Sequence, residues 1–527
     1  MSKILIYDTT LRDGSQGEGI SFSVEDMLKI ARRLDEAGFD YIEGGWPGSN
    51  PKHEEFFERM KSVSLSHAKL AAFGSTRRPS VKAEDDANLQ SLVKSGAPVA
   101  AIFGKSWDFH VTDALRVPLE QNIEMIYDSV QFLKKHFEQV IFDAEHFFDG
   151  YKANPDYSLK SLKSAVAAGA DCVALCDTNG GTLPADIAGA IDAIQKQIST
   201  PIGIHAHNDS ELAVANSIIA VEHGAVHVQG TMNGYGERCG NANLCSIIPI
   251  LQMKLGKECS PAKSMEDLTA LSNYVDEIAN VVPNDRQPFV GRSAFAHKAG
   301  IHVDAIMKND RTYEHIRPDS VGNVRRVLVS ELSGASNIVL KAQRYGVDLT
   351  KKSPETKEVL EQITELENRG FSFEGAEASF ELLLQKSVGS YRKLFDLKSF
   401  RVIVERRGTD DEPTTEAVLR VVVDGEEMLT VAEGDGPVHA LDNALRKALE
   451  RFYPEELKHI KLTDFKVRVL NAKDATAAGV RTVVESTDGT SSWTTVGVSP
   501  NIIEASWHAL VDSVEYGLLK LMSKKDA

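Results

Sequence analysis

The chain has 527 residues, of which 42% are hydrophobic and 26% are charged, and its formal net charge is −17. This length exceeds what a single hydrophobic core organises, so we expect two or three folded domains. The negative charge argues against a general binder of nucleic acids or membrane surfaces, because both are polyanions and require a basic face. An anionic substrate must therefore meet a local cation or a metal ion.

Cysteine spacing and hydropathy favour a cytoplasmic protein. No apolar run approaches the roughly 18 residues of a membrane span, and the N-terminus lacks a secretory leader pattern. The cysteines match neither a disulfide framework nor a zinc site, so we predict reduced interior thiols. They are Cys172, Cys176, Cys239, Cys245 and Cys259.

The first 250 residues alternate short apolar runs with amphipathic stretches of helical length. One helix is predicted over 24–37, where Ser23 and Asp26 have capping-box spacing. Eight strand-helix repeats in this length predict a closed (β/α)8 TIM barrel, since open sheets usually stop at five or six strands. The predicted strands are 4–7, 41–43, 70–73, 99–103, 140–142, 172–176, 202–205 and 226–230.

The pattern changes twice after the barrel, which we assign to residues 1–267. Over 268–396 the strand pattern fades and helical segments alternate with polar loops, which predicts helical linker subdomains. Over 397–527 strands at 401–405, 417–423 and 466–469 alternate with helices. This last region is predicted to be a separate α+β domain.

The α+β region carries a weak internal repeat, a duplicated strand-helix unit. Gly434-Asp-Gly-Pro437 precedes one predicted helix, and Gly497-Val-Ser-Pro500 precedes another. Two equivalent units can form a small-molecule site between them or a dimer surface. A duplicated structural module without a ligand is the alternative.

A pair of histidines closes the seventh predicted strand, in His205-Ala-His207. Residues i and i+2 of a strand project to the same side, so both rings can converge at the barrel mouth. Asp13 follows the first strand, which adjoins the eighth in a closed barrel. One carboxylate and two imidazoles that leave coordination positions open suit Mg, Mn or Zn in a catalytic site.

Other candidates lie at the same rim. Gly234 and Gly236, in a Gly-rich turn ahead of a helix predicted near Asn241, allow close backbone approach, and the helix N-terminus favours anions. With Arg238 they are candidate substrate-binding residues. A tight turn without a ligand is the alternative.

Three further side chains are candidates for chemistry. Arg12 is suited to stabilising oxyanion charge, Glu145 to acting as a base or orienting water, and Thr178 to donating to a carboxylate. The structural alternatives are an interstrand salt bridge, a solvated loop acid and a helix N-cap, respectively.

Read together, Asp8-Thr-Thr-Leu-Arg-Asp-Gly14, His205-Ala-His-Asn-Asp209 and Gly236-Glu-Arg-Cys-Gly-Asn241 resemble motifs of the α-isopropylmalate, homocitrate and citramalate synthases, and the resemblance spans nearly the whole chain. It implies a barrel that condenses acetyl-CoA with a 2-oxo acid. The implied metal ligands are Asp13, His205, His207 and, more loosely or through water, Asn241. Arg12 and Thr178 would contact the 2-oxo acid, and Glu145 would be an acid/base residue.

The resemblance also implies a dimer, in which His297 and Tyr313 reach the site from a neighbouring subunit. It further implies that the helical linker contributes to the active site and that the α+β domain is regulatory. The stretch 43–54 is most similar to the citramalate branch, whose acceptor is pyruvate, although Ser15-Gln-Gly-Glu18 departs from the other branches. The implied product is (R)-citramalate on the route to isoleucine, with isoleucine as feedback effector at the C-terminal domain. The base stays open among Glu145, His297 and a metal-organised water.

Three alternatives accompany this interpretation. A 2-isopropylmalate synthase would use 2-oxoisovalerate as acceptor, and a metal-dependent carbon-carbon lyase would run the reverse bond cleavage on the same barrel. A non-catalytic amino-acid sensor is the third, and the mutually compatible residues Asp13, His205, His207 and Arg12 argue against it.

Overall fold

The eight predicted strands close into a parallel barrel in a computed structural model, which describes residues 3–328, 338–339, 342, 350, 353–373, 376–406, 412–470 and 479–526. Each strand pairs with the next, and β8 returns to β1 with Gln229 opposite Tyr7. Several strands run two or three residues beyond their predicted ends, β5 as far as Glu145. The strands are β1 Leu5–Asp8, β2 Tyr41–Gly45, β3 Lys69–Ser75, β4 Val99–Lys105, β5 Gln139–Glu145, β6 Cys172–Asp177, β7 Ile202–Ala206 and β8 His227–Gly230.

Amphipathic helices surround the barrel, and the first shows why they form where they do. Ser23 Oγ accepts from the Asp26 N–H at 3.2 Å and the Asp26 carboxylate accepts from the Ser23 N–H at 2.9 Å, which confirms the capping box. The helices are α1 Val24–Glu36, α2 Pro51–Met60, α3 Ala87–Ser95, α4 Leu119–Leu133, α5 Phe147–Ala153, α6 Pro155–Ala167, α7 Pro184–Ile194, α8 Ala213–Glu222, α9 Leu244–Pro249 and α10 Leu268–Ile278.

The barrel interior changes character along its axis. Aromatic and small side chains such as Tyr41, Val99 and Cys172, at the beginnings of their strands, form an apolar cluster inside it. Alternate strand residues face inward, and strands β5 and β7 carry Asp143 and His205 in their carboxyl-terminal halves. The polar side chains therefore gather at the mouth, where barrel enzymes place their sites.

The chain divides into two compact units, 1–295 with 315–325, and 296–314 with 326–527. Within the second unit β9 and β10 pair in parallel. The sequence pattern predicts helices but no strands in this region, because a strand of two residues is too short to show an alternating pattern. The elements of this unit are β9 Ala296–His297, α11 Gly300–Lys308, β10 Arg326–Val327, α12 Pro354–Asn368, α13 Glu377–Ser387, β11 Phe395–Glu405, β12 Thr414–Val423, β13 Glu426–Gly434, α14 Pro437–Leu449, α15 Pro454–Leu457, β14 Lys461–Val469, β15 Val480–Thr487, β16 Ser492–Ser499 and α16 Ile502–Asp526.

The predicted duplication is confirmed as two three-stranded antiparallel sheets, β11-β12-β13 and β14-β15-β16, each followed by a helix. Equivalent hydroxyls tie each sheet to its helix: Thr430 donates to the Ala444 carbonyl at 2.8 Å, and Thr495 donates to the Ala509 carbonyl at 2.7 Å. The two sheet-helix repeats therefore match in this hydrogen bond as well as in the order of their strands and helix.

None of the five cysteines, all within the described residues, forms a disulfide, and four of them are buried. The prediction of interior thiols is wrong for Cys239, which is exposed in the loop after β8. Among the described helices, none has the length and apolar character needed to cross a bilayer.

Candidate metal centre and active site

Three donor side chains converge at the barrel mouth. The Asp13 carboxylate lies 3.2 Å from His205 Nε2 and 3.9 Å from His207 Nε2, and the two Nε2 atoms are 3.3 Å apart. All three side chains are buried, and one ligand atom from each falls within a 4.8 Å group. This cluster is consistent with a divalent metal site.

Local structure explains why these three meet. His205 faces inward near the end of β7, and His207, just past that end, forms a bridge with Asn241. The Asp13 N–H donates to Thr9 Oγ1 at 3.3 Å, which turns the chain back over β1. Asp13 precedes a short turn, Gly14–Gln16, but makes no side-chain capping bond there, so its carboxylate is not used as a helix cap.

Asn241 fits a fourth, weaker position. Its Nδ2 donates to Asp13 Oδ2 at 2.8 Å, while its buried Oδ1 has no hydrogen-bond partner among the described residues. A buried carbonyl oxygen without a partner costs free energy. Asn241 would therefore offer this oxygen as a further neutral ligand to a divalent cation held by Asp13, His205 and His207.

The electrostatics favour an anionic Asp13 and a neutral His207. For His205 the effect of burial is outweighed by the hydrogen bond to Asp13, which raises the pKa of that ring, so His205 must release a proton when it binds a metal. Burial opposes ionisation of Asp13, but the Arg12 charge and the hydrogen bond from His205 outweigh it and hold the pKa of that carboxyl well below its usual range. Burial, together with the neighbouring His205, lowers the pKa of His207 to about 4. At neutral pH Asp13 is therefore an anion and His207 has a free lone pair.

Arg12 does two things at once. Its Nε donates to Glu43 on β2, so the interstrand salt bridge given as the structural alternative is present. Its guanidinium also stacks 3.7 Å from the centre of the Phe73 ring and lines the cavity above the metal ligands. Glu43 is itself held by the Tyr7 hydroxyl at 2.6 Å and by Thr9 Oγ1 at 2.9 Å, which fixes the arginine.

Glu145 and Thr178 lie on the same rim. Glu145 ends β5 and forms an ion pair with Lys105, its register neighbour on β4, with about a fifth of each side chain exposed (22% and 21%). Thr178 Oγ1 accepts from the His146 N–H at 2.9 Å. Helix α7 begins only at Pro184, so Thr178 is not its N-cap.

The Gly-rich loop after β8 is tightly folded. A Cβ at Gly236 would lie 2.5 Å from Asn241 Oδ1, so only glycine fits there. Arg238 bonds Asp209 at 2.8 Å and the Thr178 carbonyl at 2.6 Å, which ties the loop to the end of β6. The helix begins at Leu244, three residues later than predicted, because Asn241 bridges to His207 instead.

The cavity at the mouth is small, about 210 Å³, and has one aromatic wall. Trp46 stands edge-on to Phe73 and Phe103, with ring centres 5.8 and 5.7 Å away. Its indole N–H donates to Asn88 at 2.6 Å, which fixes the ring. Arg12, Asp13, Gln16, Asp143, Glu145, Cys176, Thr178, His205, His207, Glu237 and Arg238 complete the lining.

His297 and Tyr313 belong to the second compact unit rather than to the barrel unit. His297 Nε2 lies 3.2 Å from Glu314 Oε1, and the Tyr313 ring stacks on His302 with centres 4.1 Å apart. Their predicted contribution from a neighbouring subunit stays a prediction.

Four residues that sequence reasoning missed surround the predicted ones: Glu43, Lys105, Asp143 and Gln229. Each lies in the middle or the second half of a barrel strand. The sequence signal that could have found them is a polar residue within an apolar strand, separated by an even number of positions from a residue already placed inside the barrel. Asp143, for example, is two residues before Glu145.

Three models of known protein families match successive parts of the chain. A family model described as HMGL-like matches residues 3–275, one described as homocitrate synthase post-HMGL domain-like matches 289–370, and a LeuA allosteric (dimerisation) domain matches 374–518. The (R)-citramalate synthase of Geobacter sulfurreducens is 58% identical over 520 residues, which cover 99% of this chain and 98% of that protein. The chain belongs to the citramalate synthase family.

Other citramalate synthases agree. That of Aquifex aeolicus is 54% identical, with 98% of each chain covered. The 2-isopropylmalate synthase of Methanocaldococcus jannaschii is 29% identical over 99% of this chain and 96% of its own. The predicted resemblance to the citramalate branch is thus confirmed, and membership of a family of enzymes removes the non-catalytic sensor from consideration.

Proposed function

We propose that this enzyme condenses acetyl-CoA with pyruvate and water to give (R)-citramalate and CoA, in the cytoplasm, as the first step of the pyruvate route to 2-oxobutyrate and isoleucine. The observation that carries the proposal is the buried Asp13, His205 and His207 cluster beneath a small cavity lined by Arg12, in a chain 58% identical to an (R)-citramalate synthase. The reaction is an acyl transfer in which the acetyl group becomes an alkyl group.

Asp13, His205 and His207 would hold a Mg, Mn or Zn ion, with Asn241 more loosely attached. When bound, a divalent cation supplies Lewis-acid polarisation of a keto group. The protein's own task is then to orient the acceptor. The Thr178 hydroxyl, at the end of β6, is placed to donate to the pyruvate carboxylate, and Gly234, Gly236 and Arg238 shape the substrate-binding rim.

The chemical step needs a base for a methyl proton of acetyl-CoA and a counterion for the oxygen of the attacked keto group. Glu145, beside Lys105 at the rim, is our acid/base participant. As the new carbon-carbon bond forms, negative charge develops on the keto oxygen, and the fixed guanidinium of Arg12 stabilises it. Hydrolysis of the thioester then releases CoA.

The aromatic wall supports pyruvate as the acceptor. Trp46 stands edge-on to the stacked rings of Phe73 and Phe103, which gives the cavity an apolar wall suited to a methyl group. Each further methylene is worth about 1–3 kcal/mol of discrimination in an apolar pocket. A wall of fixed rings would oppose the larger branched chain of 2-oxoisovalerate, the acceptor of an isopropylmalate synthase.

We also propose that the domains run over 1–267, 268–396 and 397–527, and that the last binds isoleucine as a feedback effector and forms a homodimer. Support comes from the match to a LeuA allosteric (dimerisation) model over 374–518 and from the duplicated sheet-helix units. In such a dimer His297 and Tyr313 would act in the partner's site.

The test is CoA release from acetyl-CoA with pyruvate, 2-oxobutyrate, 2-oxoisovalerate and 2-oxoglutarate, with and without EDTA or isoleucine. We expect strong preference for pyruvate, loss of release on chelation, and inhibition by isoleucine. Preference for 2-oxoisovalerate would identify an isopropylmalate synthase instead. No release with any acceptor would favour the lyase, which cleaves rather than forms the bond.

A further inference from the structure

Gln229 is a fully buried side chain on β8 with two polar partners. It is the register neighbour of His205 on β7, and its Oε1 lies 2.8 Å from His205 Nδ1. Its Nε2 donates to Asp143 Oδ1, across the barrel on β5, at 2.9 Å. Each end of the carboxamide is therefore occupied by a different group.

The chemistry of these partners fixes the direction of the amide. An aspartate oxygen accepts, so the NH₂ end of Gln229 must face Asp143 and the carbonyl end must face His205. An acceptor at Nδ1 requires that nitrogen to carry the ring proton. The lone pair of the neutral ring is then at Nε2, the atom 3.2 Å from the Asp13 carboxylate and 3.3 Å from His207 Nε2.

We propose that Gln229 is a positioning residue that fixes the tautomer and orientation of the His205 ring, and that Asp143 in turn fixes Gln229. The chain from Asp143 through Gln229 to His205 orients the ligand while keeping a neutral group next to it. Such outer partners raise ligand basicity and metal affinity. The inference deepens the proposed metal site and rests on it for its consequence in metal binding.

The first measurement needs no metal. Full-length enzyme carrying ¹⁵N-histidine and the Asp13→Ala substitution is examined by NMR, metal-free, at a pH of about 9, where an unperturbed imidazole is neutral. Asp13→Ala removes the carboxylate that otherwise accepts from His205 Nε2, so the effect of Gln229 on the ring can be observed. His205→Gln identifies the His205 signals. We expect the Nδ1–H form in this background and a loss of that preference when Gln229→Leu is added.

Asn216→Leu is the matched control. Asn216 is also a fully buried barrel-unit amide, and its Nδ2 donates to the Thr182 carbonyl at 2.8 Å and to Asp177 Oδ2 at 3.4 Å, neither of which is a proposed metal ligand. Its replacement removes a buried amide of similar kind without touching His205. The His205 tautomer should stay as in the Asp13→Ala background.

The second measurement is Mn²⁺ affinity by competition with a chelator. We expect Gln229→Leu to weaken binding by about 10- to 100-fold and Asn216→Leu to leave it unchanged. Gln229→Glu alone places two carboxylates side by side. In the double variant Gln229→Glu/Asp143→Asn the bond between the two positions is restored in the reverse direction, from the new amide at position 143 to the new carboxylate at position 229. A carboxylate oxygen again accepts from His205 Nδ1–H, so both tautomer and affinity should recover.

Unchanged tautomer and unchanged Mn²⁺ affinity in Gln229→Leu would overturn the proposal. If Gln229→Leu does not fold, the single Gln229→Glu and its double-variant partner provide the same comparison, and absence of rescue counts against the relay. A wild type that binds no Mn²⁺ would refute the proposed metal site, whereas the NMR result would still decide the role of Gln229.

Discussion

The barrel mouth and the C-terminal sheets use burial in opposite ways. At the mouth the protein buries Asp13, Glu43, Asp143, His205 and His207, none more than 6% exposed. Buried charges are costly unless paired, and at the mouth burial and neighbouring charges together shift the pKa values of Asp13, Asp143 and His207. Burial raises the pKa of Asp143 to about 7, for example.

The C-terminal unit buries apolar groups and leaves others outside. Its helices pack Ala and Leu residues onto the inner faces of the sheets, while Leu429, Val431 and Val469 on the strands are 59%, 41% and 52% exposed. Exposed apolar groups of this kind suit association with another surface. The contrast suggests that chemistry and assembly have separate structural origins, so mutations should separate them.

The largest expected effect is removal of a metal ligand at the mouth. Asp13→Asn and His207→Ala should each lower kcat by about 10³-fold or more, since the polarisation lost is worth several kcal/mol. Circular dichroism and thermal unfolding should show a retained fold, because neither residue belongs to the apolar cores. Near wild-type turnover in either variant would contradict the metal assignment, and Mn²⁺ binding measured alongside would show whether the ligand itself was lost.

Next in size is Arg12→Lys. Lysine keeps the charge but cannot stack on Phe73 and donate to Glu43 in one fixed plane, so stabilisation of the developing oxyanion should fall. We expect kcat to decrease by about 10²-fold with a smaller change in KM for pyruvate. If only KM rises, Arg12 binds the ground state and its proposed role in the chemical step is wrong.

The metal ligands at the mouth also show how much of the site could be predicted from the sequence. Hydrophobic period and strand count predicted the barrel, and the parity of His205 and His207 at a strand end predicted the ligand cluster. Both depend on local spacing, which the sequence carries directly. Cys239 was misjudged because loop exposure depends on how the chain after β8 folds.

Contacts across the barrel were beyond such reasoning. Gln229 and Asp143 are 86 residues apart, and their pairing exists only once the barrel closes with a particular stagger. The ion pair of Arg12 with Glu43 likewise depends on the register of β1 against β2. Strand periodicity predicts on which face of the sheet a side chain lies, but not which side chain on another strand it contacts.

A change in the C-terminal unit should lower stability and leave turnover unchanged, the reverse of what is expected for a ligand variant at the mouth. A Cβ at Gly497 would lie 2.0 Å from the backbone oxygen of Ala505, so Gly497→Ala should lower the stability of that unit by about 1–3 kcal/mol. The control is Gly436→Ala, where the added methyl meets nothing within 4 Å. Calorimetry should show a lower temperature for the C-terminal transition in Gly497→Ala but not in Gly436→Ala, and both variants should retain kcat at 25 °C. Equal transitions in the two variants would contradict the packing argument.

The smallest effect distinguishes the two regions by pH. His227 is buried in the barrel between Tyr7 and Tyr41, and burial lowers its pKa to about 3, against about 6.5 in an unfolded chain. Between these values the unfolded state binds a proton that the folded state does not, so stability falls as pH falls, by up to about 1.4 kcal/mol per pH unit.

His227→Phe removes the imidazole that binds this proton in the unfolded state and keeps an aromatic ring against the two tyrosines. Urea unfolding at pH values of about 7.5, 6 and 5 should therefore show a shallower loss of barrel stability toward acid in the variant, since one titrating group is gone. The C-terminal transition should keep its wild-type pH dependence. An unaltered slope for the barrel would mean that carboxylates, and not this buried imidazole, set its acid sensitivity.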